Sequence, residues 1–392
     1  MSRWPAGSQS GLREANAAKI IDTIKRFGGL TQVELAEATG LSAATVSAIV
    51  KDLSQSGMVE THPTSRSGRR AQLVTIARRT GVVGAVHVGT RSMRVRLSDV
   101  NQTSLAERSM PLAADHAEDT VLDRIALLIV DMLGMIAAEA DDLIGVCIAV
   151  PVPVDPATGH VALRGIMRRW EGEPLAEVMS RRLACPVFVE KDANLAALAE
   201  SIRGSARDAA ESVFVRASHA TSAGIMINRR IHRGHDGAAG EIGHVQVDPA
   251  GAICRCGQRG CLDTVAGADA ILEPLRATYG QLSFRDVIVQ AAAGDPGCAR
   301  VIADAASAIG TVVAGLGRAI SPAVVSVGGE LTEAGPIFMV PFTNALRAHT
   351  PAGLHSFQDP VPSAFGTDAE LVGATIMVLQ STDSTSLLEE RA

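Results

Sequence analysis

Apolar residues near the start of the chain recur at helical spacing. Ala18, Ile20, Ile21, Ile24 and Phe27 form one face of a first helix, which Gly28-Gly29 ends. Thr31 and Glu34 have the spacing of a capping box, opening a second helix through Val33, Leu35, Ala36 and Ala38. Gly40 supplies the left-handed stop, Leu41 anchors the turn, and Ser42 caps a third helix over about residues 43–55. Val46, Ile49, Val50 and Leu53 face inward on that helix. Ser42, Ala43, Thr45, Ser47 and Lys51 are left for the outer face, small enough to approach a major groove closely. A strand follows Gly57, residues 65–70 form a basic turn, and Gln72 to Ile76 read as the return strand. The order predicts a winged helix-turn-helix. Its wing arginines Arg66, Arg69 and Arg70 would reach DNA phosphates or a narrow minor groove.

From Gly81 the pattern alternates between strand and helix. Val82–Val88 and Met93–Asp99 predict paired strands, and Val121–Ala138 a long helix. Ile144–Val150 and Pro186–Glu190 predict buried strands, the latter running into a helix from Lys191. Val213–Ala217 and Ala223–Asn228 predict a second hairpin, followed by a helix over Val301–Ile320 and a strand over Ala323–Val327. Alternation of this kind predicts α/β layers. Two halves that each open on a hairpin predict two lobes with a cleft between them, roughly 81–197 and 198–380. The polar stretch 381–392 is expected to be a disordered tail.

Charge divides the chain at the same place. Residues 1–80 carry 11 Lys or Arg against 6 Asp or Glu, a net of +5, whereas the rest nets −11. Only the head is therefore expected to meet a polyanion. Hydrophobic residues make up 47% of the 392, enough for a large core, but aromatics are only 3%, so that core is aliphatic. No apolar run near the N-terminus suggests a signal peptide, and no uncharged run of about 18 apolar residues suggests a membrane span. A cytoplasmic location with reduced thiols is expected.

Three of the six cysteines fall within eight residues, Cys254, Cys256 and Cys261, and His244 lies ten residues before the first. One imidazole and three thiolates complete a closed tetrahedral zinc site, with no position left for water. The metal is therefore expected to be structural. Cys147, Cys185 and Cys298 read as ordinary thiols in apolar or helical surroundings. Asp155 and Asp248 read as turn residues.

The segment Gly240-Glu-Ile-Gly-His244 with Cys254-Arg-Cys-Gly-Gln-Arg-Gly-Cys-Leu-Asp263 resembles the signature of the ROK family of repressors and sugar kinases. Val189-Glu-Lys-Asp-Ala-Asn194 resembles the family's catalytic segment. The resemblance covers about residues 81–380 and implies an actin-like, sugar-kinase-like fold. With the winged head, it implies a sugar-responsive regulator. It also implies that Asp192, Asn194, Glu241, His244 and Asp263 border a sugar pocket, Asp192 at the position of the kinases' base. The phosphate loops depart from the kinase pattern. His87-Val-Gly-Thr-Arg91 replaces Asp-x-Gly-Gly-Thr, and Ser218-His-Ala-Thr-Ser-Ala-Gly224 keeps one glycine of a glycine-rich loop. ATP binding, and catalysis with it, is expected to be lost, leaving Asp192 a vestigial base. Lys191 stands where the family has Asn. It is open to three readings: a partner for Asp192, a partner for Glu190, or a recogniser of an acidic ligand. The expected protein is a repressor of carbohydrate-metabolism genes, a homodimer or a dimer of dimers, binding operator DNA and a sugar or sugar-derivative effector. The alternative is an active ATP-dependent sugar kinase with a DNA-binding head.

Overall fold

A computed structural model describes residues 9–66, 69–77, 81–113, 116–161, 170, 174–351, 353, 357 and 359–382. The head is built from α1 (Gln9–Phe27), β1 (Leu30–Thr31), α2 (Gln32–Thr39), α3 (Ala43–Gln55), β2 (Val59–Arg66) and β3 (Arg69–Ile76). Each local signal has its physical counterpart. The Thr31 hydroxyl accepts from the Glu34 amide, and the Glu34 carboxylate accepts from the Thr31 amide at 2.8 Å. Gly40 stands at φ 68° and its amide donates to Ala36. The Ser42 side chain accepts from the Thr45 amide, and α2 and α3 meet at 116°, the bend of a helix-turn-helix. The wing strands pair antiparallel from Val59 opposite Ile76 to Arg66 opposite Arg69, and β1 adds to β3. The tip at residues 67–68 lies outside the described residues.

The body repeats one topology twice. The first sheet holds β4 (Val82–Val88), β5 (Ser92–Asp99), β6 (Ser104–Pro111), β7 (Leu143–Val150) and β8 (Val187–Lys191) in the order β6-β5-β4-β7-β8. Helices α4 (Glu118–Met135) and α5 (Leu175–Leu183) accompany it, and α6 (Asp192–Arg203) leaves it. The second sheet holds β9 (Ser212–Ala217), β10 (Thr221–Ile227), β11 (Arg230–Ile231), β12 (Val324–Gly328) and β13 (Val361–Pro362) in the order β11-β10-β9-β12-β13. In both sheets three antiparallel strands precede two parallel ones. Between β11 and β12 run α7 (Asp263–Ala266), α8 (Ala268–Leu272), α9 (Arg276–Tyr279), α10 (Phe284–Ala292) and α11 (Pro296–Ile320). After β12 come α12 (Pro336–Ala348) and the terminal α13 (Ala369–Ser381). Long, apolar α11 is a core helix: Ile302, Ala305, Ile309 and Val313 are buried in the second-sheet cluster.

Three features differ from the sequence expectation. Strand β6 has no apolar alternation, because it is an exposed edge whose Glu107 answers Arg94 and Arg96 of β5. Helix α13 does not stay with the second half. It packs on α6, β4 and β7, and Arg96 bonds Asp368 beside its start. The lobe division at 197 and 380 thus separates α13 from the sheet it covers. The helix also runs through Ser381, past the expected start of the tail, whose residues 383–392 lie outside the described residues.

The head is continuous with the body's interior. Ile20, Ile21 and Ile24 of α1 share one buried cluster with Leu371, Val378 and Leu379 of α13 and with Val83 and Cys147. The β5–β6 turn clasps the junction. Asn101 exchanges two hydrogen bonds with the backbone of Ile76, at 2.8 and 2.6 Å. Gln102 donates to the Lys25 carbonyl at the end of α1 and accepts from Arg203 at the end of α6, at 2.8 and 2.6 Å.

Candidate functional site

The residues expected to meet DNA lie on α3 and on the wing strands β2 and β3. Ser42, Ala43, Ser47 and Lys51 are exposed, with Ala44 and Ala48 beside them. Those two alanines were not among the residues expected from the sequence on this face. Thr45 is half-buried, and its hydroxyl lies 2.8 Å from that of Ser42, so both side chains hold the start of the helix. Arg70 is exposed on β3; Arg66 and Arg69 pair as the last described rung of the wing.

A second constellation gathers at the carboxyl ends of β4, β8, β9 and β12 of the two body sheets, where open α/β sheets bind ligands. His87 ends β4, Lys191 ends β8, Arg216 is near the end of β9, and Glu330 follows β12. Asp192 opens α6 and is 1% exposed. Its carboxylate lies 3.2 Å from Arg216 Nε and 3.7 Å from His87 Nε2, and accepts from the Ala193 amide at 2.6 Å. Burial pushes this carboxyl up, but Arg216 and His87 outweigh it and hold the group below the usual range. Arg216 reaches Glu370 of α13 at 2.6 Å as well, so one guanidinium joins both sheets and the terminal helix.

Lys191 pairs with neither Asp192 nor Glu190 through its side chain. Its ammonium, 1% exposed, donates to the Ala239 carbonyl at 2.6 Å and meets Glu241 at 3.1 Å. Burial raises the Glu241 carboxyl against that pairing. Glu190 is instead bonded by Arg233 at 2.6 Å and by Asn194, itself 1% exposed, at 2.8 Å. Asp263 accepts from the Thr221 amide at 2.9 Å; burial raises it, opposed by that bond and by Arg255. In the segment from Ser218 to Gly224, Ser218 and His219 both reach Glu330, which follows β12. His219 lies 2.8 Å from Glu330 and against the Phe284 ring at 4.5 Å. Glu330, raised by burial but bonded by His219 and Ser218, falls to about 2. Retained Gly224 serves packing: a Cβ there would stand 2.0 Å from the Ala193 carbonyl. A cleft of about 1380 Å³ opens beside this constellation, bordered by Arg91, His219, Arg255, Asp263 and Glu330.

The ligand atoms of His244, Cys254, Cys256 and Cys261 lie within 4.8 Å of one another. Two edges test the fit to zinc. Cys256 and Cys261 sulfurs are 3.7 Å apart, and His244 Nδ1 is 3.5 Å from the Cys254 sulfur. Metal distances of about 2.3 Å to sulfur and about 2.0 Å to nitrogen give tetrahedral edges of about 3.8 and about 3.5 Å. The knuckle is bent by Gly257 and Gly260, at φ 89° and 67°; at Gly260 a Cβ would meet the Asp248 carbonyl at 1.5 Å. Asp155 and Asp248 hold turns, each accepting from the amide two residues on. The other three thiols, Cys147, Cys185 and Cys298, are buried in the core.

Comparison with known proteins follows the same boundaries. Residues 83–381 match the ROK family and residues 11–70 the MarR family. The chain is 28% identical over 364 residues to the DNA-binding transcriptional dual regulator NagC of Escherichia coli (strain K12), covering 90% of this chain and 88% of that protein. It is 25% identical over 376 residues to the xylose repressor of Bacillus subtilis (strain 168), covering 95% and 96%. Among solved structures, a ROK family transcriptional regulator, homolog of the E. coli MLC protein, has a TM-score of 0.75 at 24% identity over 97% of this chain and 99% of its own. A ROK family glucokinase from Streptomyces griseus, in complex with glucose and AMPPNP, has a TM-score of 0.68 at 23% identity over 76% and 99%.

Proposed function

The chain belongs to the ROK family, and on that premise we propose that it is a cytoplasmic DNA-binding transcriptional regulator, a repressor of carbohydrate-metabolism genes. The observation that carries this reading is the head: a capped α3 with small exposed residues, packed into a core continuous with the body. The exposed face of α3 enters the major groove, and Arg66, Arg69 and Arg70 of the wing contact phosphates. Two heads of a homodimer read two half-sites. The body binds a sugar or sugar derivative in the cleft that Asp263 lines, with Asp192 and Glu241 in the buried cluster beside it, and closure of the cleft moves the heads through α6 and α13.

Catalysis is absent on this reading. A kinase base must be able to take the sugar's proton, whereas Asp192 is clamped by Arg216 and His87. Phosphoryl transfer needs open, glycine-lined phosphate loops, whereas His219 and Glu330 bond across that space. The His244–Cys254–Cys256–Cys261 cluster holds a structural zinc ion, which when bound supplies a rigid cross-link and no open coordination position. Its residues then fix the segment that carries Glu241 and Asp263.

A coupled assay of ATP consumption with a panel of aldoses, hexosamines and their N-acetyl derivatives tests the non-catalytic reading. No turnover above a no-sugar control is expected. Sugar-dependent turnover that disappears in Asp192→Asn would establish the kinase instead. Calorimetry with the same panel tests sensing; binding of none of them would leave a regulator controlled in another way.

A further inference from the structure

A second cavity, of about 690 Å³, lies far along the fold from the cleft, at the junction of head and body. Its walls come from four separate parts of the chain. Asp22 and Arg26 belong to α1, Ile202 and Leu198 to α6, and Asn228, Arg229 and Arg230 to the β10–β11 turn, with the end of α13 closing one side. Three arginines thus face one space, and among the described lining residues Asp22 is the one carboxylate.

These arginines are poorly satisfied by the protein. The Nε of Arg26 is buried without a hydrogen-bond partner among the described residues. Burial and then the positive charge of Arg229 disfavour the charged form of Arg26. Arg229 donates to the Arg207 carbonyl, and neither it nor Arg230 has a carboxylate partner among the described residues. The turn is also strained for its sequence. Ile227 pairs with Arg230 across two residues, and both of these, Asn228 and Arg229, stand at positive φ, 51° and 60°. Glycine is favoured at the second position of such a turn, and an Arg there is held in a conformation that L side chains disfavour. Like charges converging on a cavity from a strained turn and a helix end match what an oxyanion needs.

We propose that this cavity is a binding site for a small oxyanion, the phosphate or carboxylate group of a metabolite or free phosphate itself, held between Arg26 of the head and Arg229 and Arg230 of the second sheet. The volume lies in the range of small-molecule sites and accommodates more than the charged group alone. A bound anion would bridge α1 to the β10–β11 turn, tying the head to the second sheet as Gln102 and Asn101 tie it to the first. It would thereby give the head a second input, separate from the cleft. A DNA backbone could use the same charges, but a recess closed by α6 and α13 suits a small ligand better than a duplex.

The test is calorimetry on the full-length protein in phosphate-free buffer, with ionic strength held constant by chloride. The probes are inorganic phosphate, glucose 6-phosphate, and glucose as the neutral control. Saturable binding of inorganic phosphate or glucose 6-phosphate is expected, weakened at least tenfold in R229A/R230A, whose changes sit on an exposed turn, and also in R26Q. Tighter binding of glucose 6-phosphate than of phosphate would assign a phosphorylated metabolite; the reverse would assign free phosphate. The proposal fails if neither anion binds, or if both bind R229A/R230A as well as the unaltered protein. It fails equally if R229A/R230A weakens DNA binding in the absence of any added anion, since the arginines would then be DNA contacts. None of these outcomes depends on whether the cleft takes a sugar.

Discussion

Arg216 is the residue on which the body's chemistry turns. Asp192 alone would read as a base, but a guanidinium within 3.2 Å converts it into half of a buried ion pair shared with Glu370. Removing one partner of a buried pair costs about 3–5 kcal/mol, because the other charge is left uncompensated, whereas replacing both by neutral groups costs far less. Arg216→Met should therefore lower unfolding stability by about 3–5 kcal/mol in urea titrations, and adding Asp192→Asn should recover part of that loss. If Arg216→Met is as stable as the parent, the clamp is not formed. Acid gives a second test. Glu330 has a folded value of about 2 against an ordinary 4.5. A depressed carboxyl contributes stability that is complete above its unfolded value and is lost as pH falls toward its folded one. Stability should accordingly decline between about pH 4.5 and about pH 2, and Glu330→Gln should flatten that part of the profile. An unchanged profile in Glu330→Gln would remove the His219–Glu330 contact from the account.

At the scale of elements, the knuckle and the third helix make the sharpest predictions. Cys256→Ser should lower bound zinc from one ion per chain toward none, measured by metal analysis after dialysis. It should also lower the melting temperature, since structural zinc in small peptides contributes about 10–16 kcal/mol. A variant that retains a full equivalent of zinc would move the metal elsewhere. Ser42→Ala removes the cap of α3 and should cost about 1 kcal/mol in denaturant unfolding. These elements were legible because their signals are local. Thr31 with Glu34, Gly40, Ser42 and the Cys254–Cys261 spacing act within a few residues, and the fold honours each of them. What was not legible depends on residues far apart. Edge strand β6 is polar because its partners are the arginines of β5. Lys191 found Glu241, 50 residues away, through a turn that no periodicity reveals. Arg216 gave no signal because its meaning lies in Asp192 and Glu370, 24 residues before it and 154 after it.

On the scale of the whole molecule, head and body are one packed object rather than two beads on a linker. Gln102 touches the ends of both α1 and α6, and α6 begins at Asp192, so one helix spans from the buried Asp192 cluster to the head. A change in the Asp192–Arg216 clamp therefore has a rigid route to α1. The charge asymmetry fits the same division, with a net of +5 in residues 1–80 and −11 beyond. It implies that DNA is met by the head alone, with binding strongly dependent on salt. Of all measurements, binding of the full-length protein to the DNA upstream of its own gene, followed by fluorescence anisotropy across a salt series, bears most directly on the central claim. Binding to a site in that DNA is expected to be at least about 10³-fold tighter than to a scrambled duplex, with Arg70→Ala weakening both and lowering the salt slope by about one. Equal affinity for the two duplexes, or an Arg70→Ala variant with unchanged affinity and slope, would contradict it.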